Sequence, residues 1–158
     1  LIIGVLSEMM ASTLDTRDTE KSAALFAWSQ KLTVYNKTID DQHKKLLKIG
    51  KRLQDFRNSD RKTQRDFLAI VSELKDYTVY HFECEEKIME DGDYTGLEKH
   101  KKIHSNFVAQ VSGIDFNSFD YENKEELKKL IVFLSKWVLQ HIRNEDFKYT
   151  SFVADVKK

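Results

Sequence analysis

Five histidines and two carboxylates in this chain have the types and spacings that a metal site requires. All five histidines lie within or beside apolar stripes of helical period, and they are His43, His81, His100, His104 and His141. Glu85 follows one of them in the segment HFECE, and Asp146 follows another in HIRNED. Burying so many imidazoles and carboxylates without partners would be costly, and their combination favours a transition metal.

Helix geometry allows these donors to converge. Residues four apart lie on nearly one face of a helix, so the two donors of HFECE can reach one centre, and so can the two histidines of HKKIH. His43 and His141 supply further donors from two other helices. Seven donors exceed the four that one zinc needs, whereas two metals bridged by the carboxylates would use them all. The mixed nitrogen and oxygen set favours iron over manganese or zinc.

Spacing alone leaves the carboxylate near His141 open. Asp146 follows His141 by five residues, which is about 140° around a regular helix, whereas Glu145 follows it by four and fits a straight helix better. If Asp146 is the ligand, the helix must end, tighten or bulge between the two residues.

Four amphipathic segments with a period near 3.6 residues must position the donors. We predict four helices, over residues 41–56, 64–90, 96–112 and 124–144. The first three begin at the N-caps Asp40, Thr63 and Thr95, and Gly113 ends the third. A short amphipathic tail over residues 147–156 is expected to pack back as a C-terminal helix. The expected fold is all-α, an antiparallel up-down-up-down four-helix bundle.

The first 25 residues lie outside this pattern. They begin LIIGVL, which is too short to span a bilayer, and no basic region precedes it as in a signal peptide. We interpret residues 1–25 as an N-terminal linker or extra helix and residues 26–158 as the bundle. Such a start is typical of a domain cut from a longer receptor or signalling protein, so other domains of that chain are expected partners.

Composition excludes several classes of function. Lys and Arg balance Asp and Glu at 26 each, which gives no general attraction to nucleic acid or to an anionic membrane. The chain has no proline and only five glycines, which favours long helices over a turn-rich sheet. The single cysteine, Cys84, excludes an intrachain disulfide and indicates a reducing compartment such as the cytoplasm. We interpret it as a small buried hydrophobic residue, with a redox-sensitive thiol as the alternative.

The motifs together resemble the hemerythrin family, in particular its bacterial hemerythrin-like domains. The matching pieces are Trp28 and the segments IDDQH, HFECE, HKKIH and HIRNED, in this order over about residues 26–152. The resemblance implies a non-haem centre of two iron ions (Fe2+/Fe3+) with a bridging oxo or hydroxo group. It also implies Asp146, and not Glu145, as the ligand.

The resemblance further implies a role for each donor. One iron would be held by His100, His104 and His141, and the other by His43 and His81. Both irons would be bridged by Glu85 and Asp146. The iron with two histidines would keep an open position, where a small molecule can bind. The family resemblance implies that this molecule is O2 and that it binds reversibly, without enzymatic turnover. Sensing with signal transduction, storage and delivery are the expected uses.

The surroundings of the site are predicted less directly. Trp137, Val138 and Ile142, beside His141, are candidates for the apolar wall of an O2 pocket, with plain core packing as the alternative. Each ligating histidine is expected to donate its other N–H to a carbonyl or carboxylate. Tyr149, in the C-terminal tail, could hydrogen-bond near the site, with no role there as the alternative.

Two other functions compete with O2 binding. A di-iron oxidase or peroxidase acting on O2, peroxide or NO would be expected to use more carboxylates than histidines, as the Glu-x-x-His di-iron proteins do. The balance here is five histidines to two carboxylates. A metal-free helical interaction module would leave the inward-facing histidines unexplained.

Overall fold

The computed structural model describes residues 25–155, and they fold into four long helices followed by a short C-terminal segment. The long helices are α1 (Lys37–Asn58), α2 (Gln64–Asp91), α3 (Leu97–Ser112) and α4 (Lys124–Asn144). A 3-10 turn, Gln30–Leu32, precedes them, and a 3-10 turn, Asp146–Tyr149, and helix α5, Thr150–Val153, follow. Residues 25–155 contain no strand, and the all-α prediction is confirmed. The linker predicted over residues 1–25 lies outside this range except for Leu25.

The four long helices run antiparallel in sequence order. His43 of α1 meets His81 of α2, with ring centroids 4.7 Å apart, while Arg52 pairs with Glu73. Residue numbers thus rise along one helix as they fall along the other. Contacts between α2 and α3 and between α3 and α4 follow the same rule. The predicted up-down-up-down bundle is therefore confirmed.

Side-chain caps explain where three of the helices begin. Asn36, Thr63 and Asn123 each accept a hydrogen bond from a backbone N–H in the first turn of α1, α2 and α4. The prediction of Thr63 is confirmed, and α4 has the predicted bounds. Gly113 ends α3 as predicted.

Two predicted caps are wrong. Helix α1 begins four residues earlier than expected, so Asp40 lies in its first turn and not at its cap. The Asp40 carboxylate instead accepts from the backbone N–H of Val34 at 3.0 Å and from the Thr33 hydroxyl. Helix α3 begins after Gly96, which has no side chain to cap with, so Thr95 plays no capping role.

The apolar stripes of the helices meet in two clusters. The larger fills the bundle between all four long helices and includes Leu53, Phe67 and Leu127. The smaller lies under the C-terminal segment, where Tyr149 and Val153 pack with Met89, Val34 and Ile39. The predicted packing of the tail against the bundle is therefore confirmed. None of the helices formed by residues 25–155 is long and apolar enough to cross a membrane.

Candidate metal centre

The four long helices and the turn after α4 bring all seven predicted donors to one place inside the bundle. Helix α1 contributes His43, α2 His81 and Glu85, α3 His100 and His104, α4 His141, and the following turn Asp146. All seven are buried, and the most exposed of them, His141, has only 7% of its surface accessible. The helical spacings that predicted convergence thus agree with the fold.

The donors form two overlapping groups. Within each group, one donor atom from every residue lies within 4.8 Å of the others. The first group is His43, His81 and Glu85, and the second is Glu85, His100, His104, His141 and Asp146. The cluster thus has a side with two histidines and a side with three, joined by a shared carboxylate.

Glu85 directs one carboxylate oxygen to each side. Its Oε1 lies 3.2 Å from the Nε2 atoms of both His100 and His104. Its Oε2 lies 3.1 Å from Nε2 of His81 and 3.4 Å from Nε2 of His43. A carboxylate placed in this way can bind one metal with each oxygen.

Asp146 divides its oxygens in the same manner. Its Oδ1 lies 3.0 Å from Nε2 of His100 and 2.9 Å from Nε2 of His141, while its Oδ2 lies 3.2 Å from Nε2 of His43. Both carboxylates therefore have the arrangement of bridging ligands between a three-histidine and a two-histidine position.

The chain breaks its helix between His141 and Asp146, as the use of Asp146 requires. Helix α4 ends at Asn144, Glu145 is its C-cap, and Asp146 opens a 3-10 turn. This change of path turns the Asp146 carboxylate towards His141. The Glu145 carboxylate points elsewhere and pairs with the Lys148 ammonium at 3.0 Å.

The protein atoms alone do not satisfy this cluster. Both ring nitrogens of His43 and both carboxylate oxygens of Asp146 are buried without a hydrogen-bond partner, although the two side chains approach each other. The Nε2 atoms of His104 and His141 face each other at 3.1 Å. Buried polar groups left unpaired cost free energy, and cations between the imidazole nitrogens and carboxylate oxygens would remove that cost. The donor set therefore fits metal ions.

The histidines keep both carboxylates ionised. Burial alone would raise the pKa of Glu85, but the charge of His81 and the hydrogen bonds from His100 and its neighbours hold that pKa well below its usual range. Burial and the charge of Glu85 would likewise raise the pKa of Asp146, yet contacts with His141 and His100 lower it. Both side chains are thus ready to bind cations.

The pKa values of the histidine rings shift in both directions. Burial would lower the pKa of His43 and of His100, but their contacts with Asp146 and Glu85 raise both pKa values to about 9. Burial prevails at His81, whose pKa falls below its usual value despite the charge of Glu85. Metal and protons therefore compete for the rings of His43 and His100.

Two side chains behind the histidines were not predicted from the sequence. Nδ1 of His81 lies 2.8 Å from the amide oxygen of Gln42, and Nδ1 of His104 lies 2.8 Å from a carboxylate oxygen of Glu86. Both fit the expected class of acceptor, a carbonyl or a carboxylate. The expectation is wrong for His43, whose Nδ1 has no hydrogen-bond partner within residues 25–155. The only signal for Gln42 and Glu86 in the sequence was adjacency, since Gln42 precedes one predicted ligand and Glu86 follows another.

Tyr149 contacts the Glu85 carboxylate directly. Its hydroxyl donates to Oε2 of Glu85 at 2.9 Å, and its side chain is fully buried. Burial, followed by the charges of Asp146 and Glu85, raises the pKa of Tyr149 well above its usual value. The hydroxyl therefore stays protonated and holds one oxygen of the carboxylate in place.

Aromatic rings cover the three-histidine side. Trp137 lies nearly parallel to His141, with centroids 4.5 Å apart, and stacks on Phe107 at 3.7 Å. Phe82, which the sequence did not single out, stacks on His104 at 3.7 Å. These rings exclude water from the imidazoles they cover.

Of the other two residues proposed for the O2 pocket, Val138 lines a cavity and Ile142 does not. Val138 lines a partly open apolar cavity of about 60 Å³ between the helices, together with Leu46, Thr78 and Phe107. Each of these four lies three residues, or about one helical turn, from a histidine of the cluster. Ile142 is buried in the main core and does not line the cavity.

Comparison with known proteins identifies relatives over most of the chain. A family model described as the Hemerythrin HHE cation binding domain matches residues 34–153. Bacteriohemerythrin of Pseudomonas aeruginosa is 36% identical over 132 residues, which cover 82% of each chain. Bacteriohemerythrin of Clostridium acetobutylicum is 25% identical over 127 residues, covering 79% of this chain and 98% of that protein. Myohemerythrin of Riftia pachyptila is 28% identical over 124 residues, covering 78% and 90%.

Proposed function

Because the chain belongs to the hemerythrin family, we propose that its buried cluster holds two iron ions at which O2 binds reversibly. The observation that carries the proposal is that each of the two carboxylates directs its two oxygens to different sides of the cluster. Glu85 and Asp146 each direct one oxygen to the three-histidine side and the other to the two-histidine side. The protein is an O2-binding protein and not an enzyme.

We assign the donors as the resemblance implies. One iron would be held by His100, His104 and His141, and the other by His43 and His81. The carboxylates of Glu85 and Asp146 would bind both irons, together with an oxo or hydroxo group. The distances and the unpaired buried atoms support this assignment. When bound, the iron pair supplies the reversible two-electron chemistry that O2 binding requires. The two-histidine position has one protein ligand fewer, which leaves room there for O2.

The remaining side chains protect the site. We propose that Trp137, Val138 and Ile142 form part of the apolar wall of the O2 pocket, and that Phe82 extends it over His104. The stacked rings of Trp137 and Phe82 support this role, because they deny water access to the histidines beneath them. Tyr149 fixes the orientation of Glu85 and keeps its own proton.

The extent and location of the domain are also proposals. We propose that residues 26–158 form the functional unit, since the backbone N–H of Phe26 donates to the Ser135 hydroxyl and its ring lies against Gly50. The free thiol of Cys84 supports a cytoplasmic location. Sensing, storage and delivery all use the same binding step, and sensing would require contact with other domains of a longer chain.

An oxidase or peroxidase is the weaker candidate. Five imidazoles and two carboxylates make up the donor groups, whereas the Glu-x-x-His di-iron proteins use more carboxylates than histidines. This balance of donors does not favour turnover of O2 or peroxide.

An anaerobic spectral cycle tests the proposed function. The iron-loaded protein is reduced without oxygen, exposed to O2 and then returned to an O2-free atmosphere while its visible spectrum is recorded. Charge-transfer bands should appear with O2 and fade on its removal. An irreversible change to the diferric spectrum on first exposure would favour the oxidase.

A further inference from the structure

Gln42 connects a proposed ligand of the two-histidine position to the thiol of α2. It lies on α1 next to His43 and is 7% exposed. Its amide oxygen lies 2.8 Å from Nδ1 of His81, and its amide nitrogen donates to Sγ of Cys84 at 3.2 Å. One buried amide thus bridges two residues that lie three positions apart on the neighbouring helix.

A cation bound at the cluster fixes the arrangement of protons here. Nε2 of His81 faces the cluster, 3.1 Å from Glu85. When Nε2 binds a cation it carries no proton, so the proton of the neutral ring lies on Nδ1. That N–H requires an acceptor, which the amide oxygen of Gln42 supplies. The amide NH2 then turns to Cys84, whose sulfur is a weak acceptor. The side chain of Gln42 therefore holds His81 in the Nδ1–H tautomer, with Nε2 free to bind a cation.

The three-histidine side uses a different acceptor in the corresponding place. Nδ1 of His104 donates to the Glu86 carboxylate at 2.8 Å. A charged acceptor makes a stronger hydrogen bond than a neutral one and makes the imidazole a better electron donor to its metal. The acceptor of His81 is a neutral amide, so its ring donates less.

From this contrast we propose that Gln42 is a positioning residue that makes the two metal positions unequal. It fixes the tautomer of His81. Because its amide is a neutral acceptor, the iron at the two-histidine position is easier to reduce than it would be with a carboxylate acceptor in the same place. That position is where O2 is proposed to bind, so Gln42 favours the reduced form that takes up O2. The inference rests on the proposed function, since it concerns the same iron pair.

Two substitutions of similar shape separate positioning from packing. Gln42→Glu replaces the neutral acceptor by a charged one, and Gln42→Met keeps the length but leaves only a weak thioether acceptor. Gln110→Glu, on the exposed face of α3, is the control for the added charge. For each iron-loaded chain we would measure the iron content, the reduction potential by spectroelectrochemistry and the rate of iron loss to a chelator.

The two variants should shift the potential in opposite directions. Gln42→Glu should raise the ferric-to-ferrous ratio at a fixed potential about tenfold, which corresponds to a potential lower by about 59 mV for one electron. Gln42→Met should raise the potential and release one iron about tenfold faster than wild type. Gln110→Glu should match wild type in every measurement.

The outcomes distinguish this inference from the proposed function. If the chains bind two irons but Gln42→Glu and Gln42→Met leave the potential unchanged or shift it in the same direction, the positioning role is wrong and the di-iron function stands. If the wild-type chain takes up no iron, the proposed function is wrong and this inference falls with it.

Discussion

Removing the Tyr149 hydroxyl should destabilise the protein measurably, because that hydroxyl makes a buried hydrogen bond to an ionised group. It donates to Glu85 at 2.9 Å, and both side chains are fully buried. A hydrogen bond to a charged group contributes roughly 1.5–3 kcal/mol. Tyr149→Phe keeps the ring and creates almost no cavity, so the loss should be confined to this bond. For a chain of this length, each kcal/mol lowers the melting temperature by roughly 2–4 °C, which gives a decrease of about 3–12 °C.

The assay is thermal unfolding of the iron-loaded protein, followed by circular dichroism at equal iron content. Tyr80→Phe is the matched control, since the same atom is removed from a side chain that is 56% exposed. Surface changes of that kind alter stability by only about 0.5 kcal/mol. The raised pKa of Tyr149 keeps the hydroxyl protonated, and Glu85 is ionised above its ordinary pKa, so the full difference between the variants should persist between about pH 5 and pH 10. If Tyr149→Phe melts no lower than Tyr80→Phe, this hydrogen bond does not stabilise the site.

Three further predictions concern protons, packing and water. The pKa values of His43 and His100 lie at about 9, so both rings are protonated below that pH and must lose a proton when metal binds. Iron uptake by the metal-free chain in weak buffer should therefore release about two protons more at pH 7.5 than at pH 10.5, beyond those that water loses in forming the oxo or hydroxo group; equal release at both pH values would contradict this. A Cβ on Gly50 would lie 2.3 Å from the Phe26 ring, so Gly50→Ala should lower the melting temperature of the protein. In a Phe26→Ala background only the higher helix propensity of alanine acts, so the same change should raise the melting temperature. A shift of the same sign in both backgrounds would refute the packing argument. Phe82→Leu should admit water beside the cluster and so speed the irreversible oxidation of the O2 complex relative to wild type. The decay of the visible bands of that complex measures this rate. An unchanged rate would mean that Phe82 is not part of the protective wall.

Local sequence signals predicted most of the fold. The bounds of α4 and the Thr63 cap of α2 depend on nearby residues only, and both predictions are confirmed. The Asp40 cap was wrong because two residues suited to capping, Asn36 and Asp40, lie four positions apart, and a contact distant in sequence supports the first. Asn36, the true cap, also donates through its amide to the backbone carbonyl of Val153, 117 residues away. No local pattern contains that contact.

The candidate site likewise has a part that local sequence predicts and a part that depends on distant contacts. Its proposed ligands follow helical spacing, so their convergence could be predicted from residues such as His81 and Glu85 alone. The contacts behind the ligands depend on which side chain of a neighbouring helix lies opposite, which the spacing does not determine. Gln42 and Glu86 were therefore not predicted, although the need for acceptors of their kind was.

The central claim is that one chain holds two irons that together bind one O2 reversibly. The most direct test is to measure iron per chain by elemental analysis and O2 uptake by the reduced protein in the same sample, followed by O2 release under vacuum. We predict two irons per chain, one O2 bound per pair of irons, and recovery of that O2 on evacuation. A single iron per chain, or O2 that is consumed and not recovered, would contradict the claim.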